Sequence, residues 1–246
     1  MCRHLGYLGP PVPLKDLLFD PPHALATQAW APRDMRGGGT INADGFGVGW
    51  WPPGATAPVR HRGAMPIWTD ATLPLLAAAT TAGAVLAAVR SATVGMPVVE
   101  TAAAPFTDGR WLFSHNGVVR GWPSAVAAQA RDLPVEDLLT LDAPTDSATL
   151  WALVRGRLRA GEPPAKAVAA VVTEVAAAAP GSRLNLLLGD GDRMIATTLG
   201  HALSVRSLRD STLISSEPLD PGPAWQPVPD GRLVVATAGR VEITPL

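Results

Sequence analysis

Cys2 is the single cysteine of this 246-residue chain and directly follows Met1. A small residue at position 2 lets an aminopeptidase remove Met1, and the exposed residue then carries a thiol and a free α-amine together. An α-amine with a reference pKa of about 8 can take the thiol proton, directly or through a water, and later protonate a leaving amine. That is the equipment of an amide hydrolase whose nucleophile and base share one residue. A lone cysteine near a chain end is also read as incidental, so the other motifs decide.

Ser114-His115-Asn116-Gly117 closes an apolar stretch. An Asn amide beside a Gly backbone N–H offers two donors for the oxyanion of acyl transfer, while His-Asn-Gly is equally a turn sequence. Arg90 ends the run Val85-Leu86-Ala87-Ala88-Val89. A guanidinium there must leave the core or meet an anion, either a substrate carboxylate or a structural ion-pair partner. Asp146 precedes a helical stretch, where it reads as a cap or first-turn residue and also as a site for an ammonium group.

Other chemistries have less support. The five histidines, at 4, 23, 61, 115 and 201, are scattered, and one cysteine allows neither an intrachain disulfide nor a Cys-x-x-Cys site. No metal and no cofactor is expected. Gly45-Phe46-Gly47-Val48-Gly49 has the look of a dinucleotide loop, but Trp50-Trp51-Pro52-Pro53 follows where a helix is required. These glycines point to close backbone approach.

The elements that position these residues follow from periodicity and turn chemistry. Strands are expected at Arg3 to Leu8, ending at Gly9-Pro10-Pro11, at Gly45 to Trp51, 85 to 91 and 111 to 119. A short helix is expected at Leu14 to Phe19, and Leu73 to Val89 reads as a helix, a turn and a buried strand. Helices follow at Ser147 to Arg159, opened by Thr145-Asp146, and at Pro164 to Ala178, with Val168, Val171, Val172 and Val175 on one face. Leu184 to Leu188 and Met194 to Thr198 flank Gly189-Asp190-Gly191-Asp192 as a hairpin, and strands near 203 to 206, 212 to 216, 233 to 237 and 240 to 244 complete the chain. Strands, a helix pair and strands again argue for helices layered on antiparallel sheets in one domain, residues 2 to 246.

Composition sets the outer limits. With 47% hydrophobic and 17% charged residues the chain has the material for a core. Lys plus Arg (20) balance Asp plus Glu (21) without a basic run, so neither nucleic acid nor an anionic membrane is an expected partner. Leu73 to Val89 falls short of the roughly 20 apolar residues of a span, and no signal-peptide pattern opens the chain, so a cytoplasmic location is expected. The expected partner is a small molecule, with a homo-oligomer left open.

The order of Met1-Cys2-Arg3, Asn42-Ala43-Asp44-Gly45-Phe46-Gly47, Arg90-Ser91-Ala92-Thr93-Val94-Gly95, Ala104-Pro105-Phe106, Ser114-His115-Asn116-Gly117 and Thr145-Asp146-Ser147 resembles that of class II glutamine amidotransferase domains. The resemblance spans almost the whole chain. It implies an α+β, four-layer αββα N-terminal-nucleophile hydrolase fold, two antiparallel sheets between helical layers. It further implies Cys2 as nucleophile, Asn116 and the Gly117 N–H as oxyanion hole, Arg90 and Thr93 on the glutamyl α-carboxylate, Asp146 on its α-ammonium, and His115 on the substrate side.

Ser91 and Val94 depart from the Arg-Trp-Ala-Thr-His pattern of glutamine-using members, and the Asn-x-His-Pro element before Phe106 is missing. The leaving-group side is therefore expected to differ. Asp20-Pro21-Pro22, Ala31-Pro32-Arg33, Val89 to Pro97, Arg183-Leu184-Asn185, Ala196-Thr197-Thr198 and Ser216-Glu217-Pro218 extend the resemblance to a hydrolytic branch acting on γ-glutamyl amides. For a leaving group with a trimethylammonium, at least one ring among Tyr7, Trp30, Phe46, Trp50, Trp51 and Trp68 is expected near the nucleophile. One fold accounts for the whole length, so free-standing hydrolysis is the expected activity; the alternatives are a glutaminase subunit serving a separate synthase, a hydrolase of another γ-glutamyl peptide such as glutathione, and a family member that only binds its ligand.

Overall fold

A computed structural model describes residues 2–36, 38 and 40–246. Met1, on whose removal the expected chemistry depends, lies outside the described residues.

Thirteen strands form two sheets among the described residues. In the first, of order β11-β9-β10-β1-β4-β2-β3, the strands are β1 (Arg3–Pro13), β2 (Phe46–Trp50), β3 (Val59–Gly63), β4 (Thr81–Val89), β9 (Ser204–Ser207), β10 (Thr212–Ser215) and β11 (Trp225–Pro227). The second, of order β13-β12-β8-β7-β6-β5, holds β5 (Phe106–Asp108), β6 (Trp111–Val118), β7 (Arg183–Gly189), β8 (Met194–Thr198), β12 (Arg232–Thr237) and β13 (Arg240–Pro245). Every pairing is antiparallel.

Side-chain alternation sorts the apolar residues into three layers of core. Leu5 and Tyr7 of β1 pack with Val85, Ala87 and Val89 of β4 against α1 (Lys15–Leu18), α2 (Leu25–Trp30) and α3 (Leu73–Ala79). Leu184, Leu186 and Leu188 of β7 pack against α6 (Asp146–Arg159) and α7 (Pro164–Ala178), beyond the short helices α4 (Ala127–Ala130) and α5 (Val135–Leu139). Trp151 of α6 stacks on Phe113 of β6 with ring centroids 5.3 Å apart. Leu8, Leu86, Leu112, Leu187, Met194 and Ile214 fill the space between the sheets. The result is the expected order of helix, sheet, sheet, helix.

The sheets approach closely where glycine faces the gap. A Cβ on Gly6 would come within 2.3 Å of Met194 Sδ, and one on Gly47 within 2.3 Å of the Ala104 carbonyl. The glycines of β2 are thus packing devices.

The expected strands and long helices are present, with shifted ends. β1 runs through Gly9-Pro10-Pro11 to Pro13 because its register slips between Leu8 and Val12, and such an irregularity tolerates proline. Among the described residues, no helix is long and apolar enough to cross a membrane, and no group of three His, Cys, Asp or Glu could hold a metal ion.

Candidate active site

The register of β1 places the nucleophile. Arg3 pairs with Val89, so Cys2 stands across from Arg90 where β4 ends, and its Sγ lies 3.8 Å from the Ser91 carbonyl. The next residue anchors this end of the chain. Arg3 is buried, its Nε donates to Glu217 Oε1 at 2.7 Å, and its Nη2 donates to the Asp34 carbonyl. Glu217 also binds His23 Nε2 at 2.7 Å and the backbone N–H groups of Arg33 and Asp34. Burial alone would raise its carboxyl pKa, but hydrogen bonds from His23, Arg33 and Arg3 prevail and bring it to about 2.

Cys2, Phe46, Arg90, Phe106, Ser114, His115 and Ser147 line one cleft with small residues of β4 and the segment before β5. Arg90 is buried, and its Nη1 donates to the carbonyls of Pro97 (2.9 Å) and Asp44 (3.3 Å). Among the described residues no carboxylate pairs with it. Asp44 instead accepts the Ala92 N–H through Oδ2 at 2.8 Å, fixing the loop that follows Arg90. A guanidinium neutralised only by carbonyl dipoles is suited to an incoming carboxylate.

Asn116 is fully buried between the sheets, and its Nδ2 donates to Ser216 Oγ at 3.1 Å. That hydroxyl also accepts the backbone N–H of His4 at 3.0 Å, two residues from the nucleophile. Asn116 Oδ1 makes no hydrogen bond. Gly117 must be glycine, because a Cβ there would sit 1.8 Å from the Arg183 carbonyl.

His115 uses both ring nitrogens within the protein. Nε2 lies 2.9 Å from the Arg183 carbonyl and so carries the proton, which leaves Nδ1 to accept from Ser147 Oγ at 3.0 Å. Burial lowers its pKa, Asp146 acting in the opposite direction, and keeps the ring neutral. Asp146 opens α6 after the cap Thr145, whose Oγ1 accepts the Ala148 N–H. Its Oδ2 accepts the Val119 N–H (2.9 Å) and its Oδ1 that of Ser147 (2.7 Å), tying the end of β6 to the helix.

Of the residues expected to act, Cys2, Arg90 and His115 line the cleft directly. Asn116, Gly117 and Asp146 neighbour the lining residues His115 and Ser147 in the chain without lining the cleft themselves, and Thr93 lies in an exposed turn beyond β4, also outside the lining. Of the six aromatics, Phe46 lines the cleft, together with Arg90. Tyr7 and Trp50 belong to the first helical core, Trp51 to the core between the sheets, and Trp30 and Trp68 are exposed. Ser216 and Glu217 were visible only as part of a shared segment; their partners lie between one hundred and some two hundred residues away in the chain.

A family model described as glutamine amidotransferases class-II matches residues 18–210. A protein from Mycolicibacterium smegmatis named gamma-glutamyl-hercynylcysteine sulfoxide hydrolase is 42% identical over 248 residues, covering 100% of both chains. One of the same name from Mycobacterium tuberculosis is 41% identical over 100% of this chain and 97% of its own. Among solved structures, a glutamine aminotransferase class-II domain protein from Silicibacter pomeroyi superposes with a TM-score of 0.71 at 23% identity, over 99% of each chain. Glutamine phosphoribosylpyrophosphate amidotransferase from B. subtilis gives 0.69 at 15% identity, over 99% of this chain and 49% of that one. At such identities the solved structures speak for the fold alone.

Proposed function

The chain belongs to the class II glutamine amidotransferase family, and from that premise we propose that it hydrolyses the γ-glutamyl amide of γ-glutamyl-hercynylcysteine sulfoxide, releasing glutamate and hercynylcysteine sulfoxide in ergothioneine biosynthesis. Its four layers are those of an N-terminal-nucleophile hydrolase. The substrate reading is supported by the full-length relatives that carry that name. The observation that carries the γ-glutamyl reading is the register that sets Cys2 beside Arg90, a buried guanidinium with no carboxylate partner among the described residues.

In the proposed cycle Met1 is removed and the Cys2 α-amine takes the thiol proton. The thiolate attacks the γ-carbonyl, and the oxyanion is met by the second N–H of Asn116 Nδ2 and by the Gly117 N–H. Collapse expels the amine, protonated by the Cys2 α-ammonium, and leaves a γ-glutamyl thioester. Water, deprotonated by the α-amine, then attacks the thioester, glutamate departs and the thiol is restored. Arg90 and Thr93 hold the glutamyl α-carboxylate and Asp146 its α-ammonium, a carboxylate with two accepted bonds having capacity for more. His115 holds the β6 wall of the substrate cleft. We place the reaction in the cytoplasm, where thiols stay reduced.

Intact mass and activity of purified protein test this together. The mature chain should begin at Cys2, and Cys2→Ala should abolish glutamate release while melting at the wild-type temperature. Active protein that retains Met1 overturns the mechanism.

A further inference from the structure

Arg183 opens β7 opposite Val118, at the end of the sheet that carries Asn116 and Gly117. Alternation sets its direction. Leu184, Leu186 and Leu188 face the helices and Leu187 faces the other sheet, so Arg183 shares the inter-sheet side with Leu187. On β1, Gly6 and Leu8 face that same gap, and the alternation brings Cys2 onto it. Electrostatics agree on the proximity: burial and the Arg120 charge lower the Arg183 pKa, and the Cys2 sulfur opposes them.

Everything about Arg183 is held except its charge. Its carbonyl accepts from His115 Nε2, and its stem packs on Gly200, where a Cβ would come within 2.9 Å of Arg183 Cγ. Its Nε, however, is buried without a hydrogen-bond partner, and no carboxylate pairs with Arg183 or Arg120 among the described residues. A buried donor left without an acceptor is costly, and an anionic ligand would satisfy it.

We propose that Arg183 binds the carboxylate adjacent to the released amine, that is, the cysteine carboxylate of the leaving group. This rests on the substrate reading above. Arg90 on one sheet and Arg183 on the other then fit a substrate with a carboxylate on each side of the scissile amide. Free glutamine, whose leaving group is ammonia, lacks the second anion and is discriminated against.

The test compares γ-glutamyl-hercynylcysteine sulfoxide with an analogue whose cysteine carboxylate is replaced by hydrogen. Wild-type protein should lose roughly 10- to 100-fold in kcat/KM on the analogue, mainly through KM. Arg183→Gln, which keeps the stem on Gly200, should show that loss on the full substrate and treat the two alike within about threefold. Arg183→Lys should recover part of the preference. Wild-type protein that cleaves both equally overturns the proposal without recourse to any variant, as does a folded Arg183→Gln that still prefers the carboxylate. Wild-type protein that is inactive on the full substrate but releases glutamate from glutamine overturns the substrate reading, and this proposal with it.

Discussion

Asn116 Nδ2 donates to Ser216 Oγ across 3.1 Å, joining the two sheets two residues behind the nucleophile. One of the two amide hydrogens is thereby committed, which fixes the plane of the amide and leaves the other hydrogen for a developing oxyanion.

Asn116→Ala should therefore lower kcat by roughly a hundredfold or more with little change in KM. Ser216→Ala, which removes the acceptor shared by the Asn116 amide and the His4 N–H but leaves the oxyanion donor in place, should cost about tenfold. Steady-state kinetics with a melting curve for each variant checks both. An Asn116→Ala protein that has simply lost its fold would assign the residue to packing.

Arg90 makes a claim about substrates. A γ-aminobutyryl analogue keeps the scissile amide but lacks the α-carboxylate, and it should be a poor substrate, down by roughly a hundredfold in kcat/KM. Arg90→Gln should weaken the true substrate similarly. Efficient cleavage of the analogue by wild-type protein contradicts the assignment.

Glu217 gives the fold a pH dependence. Its folded pKa of about 2 lies below the ordinary value of 4.5, so its contribution is fully present above about pH 4.5 and is lost as pH falls toward 2. The shift corresponds to a contribution on the order of 3 kcal/mol. In urea titrations the deficit of Glu217→Gln should be largest near pH 6 and should narrow below pH 4. A deficit independent of pH would show that the carboxylate charge is not what holds Arg3, His23 and the loop at Arg33.

What could be read from sequence followed local chemistry. Arg90 and Asn116 are polar residues at the ends of apolar strands, and such placements stand out without a structure. The α6 cap at Thr145 and the β7–β8 hairpin were equally local. β3 was not legible: it is an edge strand reading Val-Arg-His-Arg-Gly, and edge strands carry charge where alternation would otherwise show. α2 was missed because it has six residues and no side-chain cap. Glu217 and Ser216 act through contacts with Arg3, His4 and Asn116 that exist only once both chain ends are folded together. Of the six N-terminal aromatics, Phe46 both packs in the first core and lines the cleft, while the others lie in the cores or on the surface, because an aromatic count does not say which face of a strand each ring occupies.

The most direct test of the central claim is glutamate release from γ-glutamyl-hercynylcysteine sulfoxide, glutathione and glutamine, measured in parallel with purified protein. Rapid release is expected from the first, abolished by Cys2→Ala, and far slower release from glutamine. No release from the hercynyl substrate alongside steady turnover of glutamine would contradict that claim and make the chain a glutaminase.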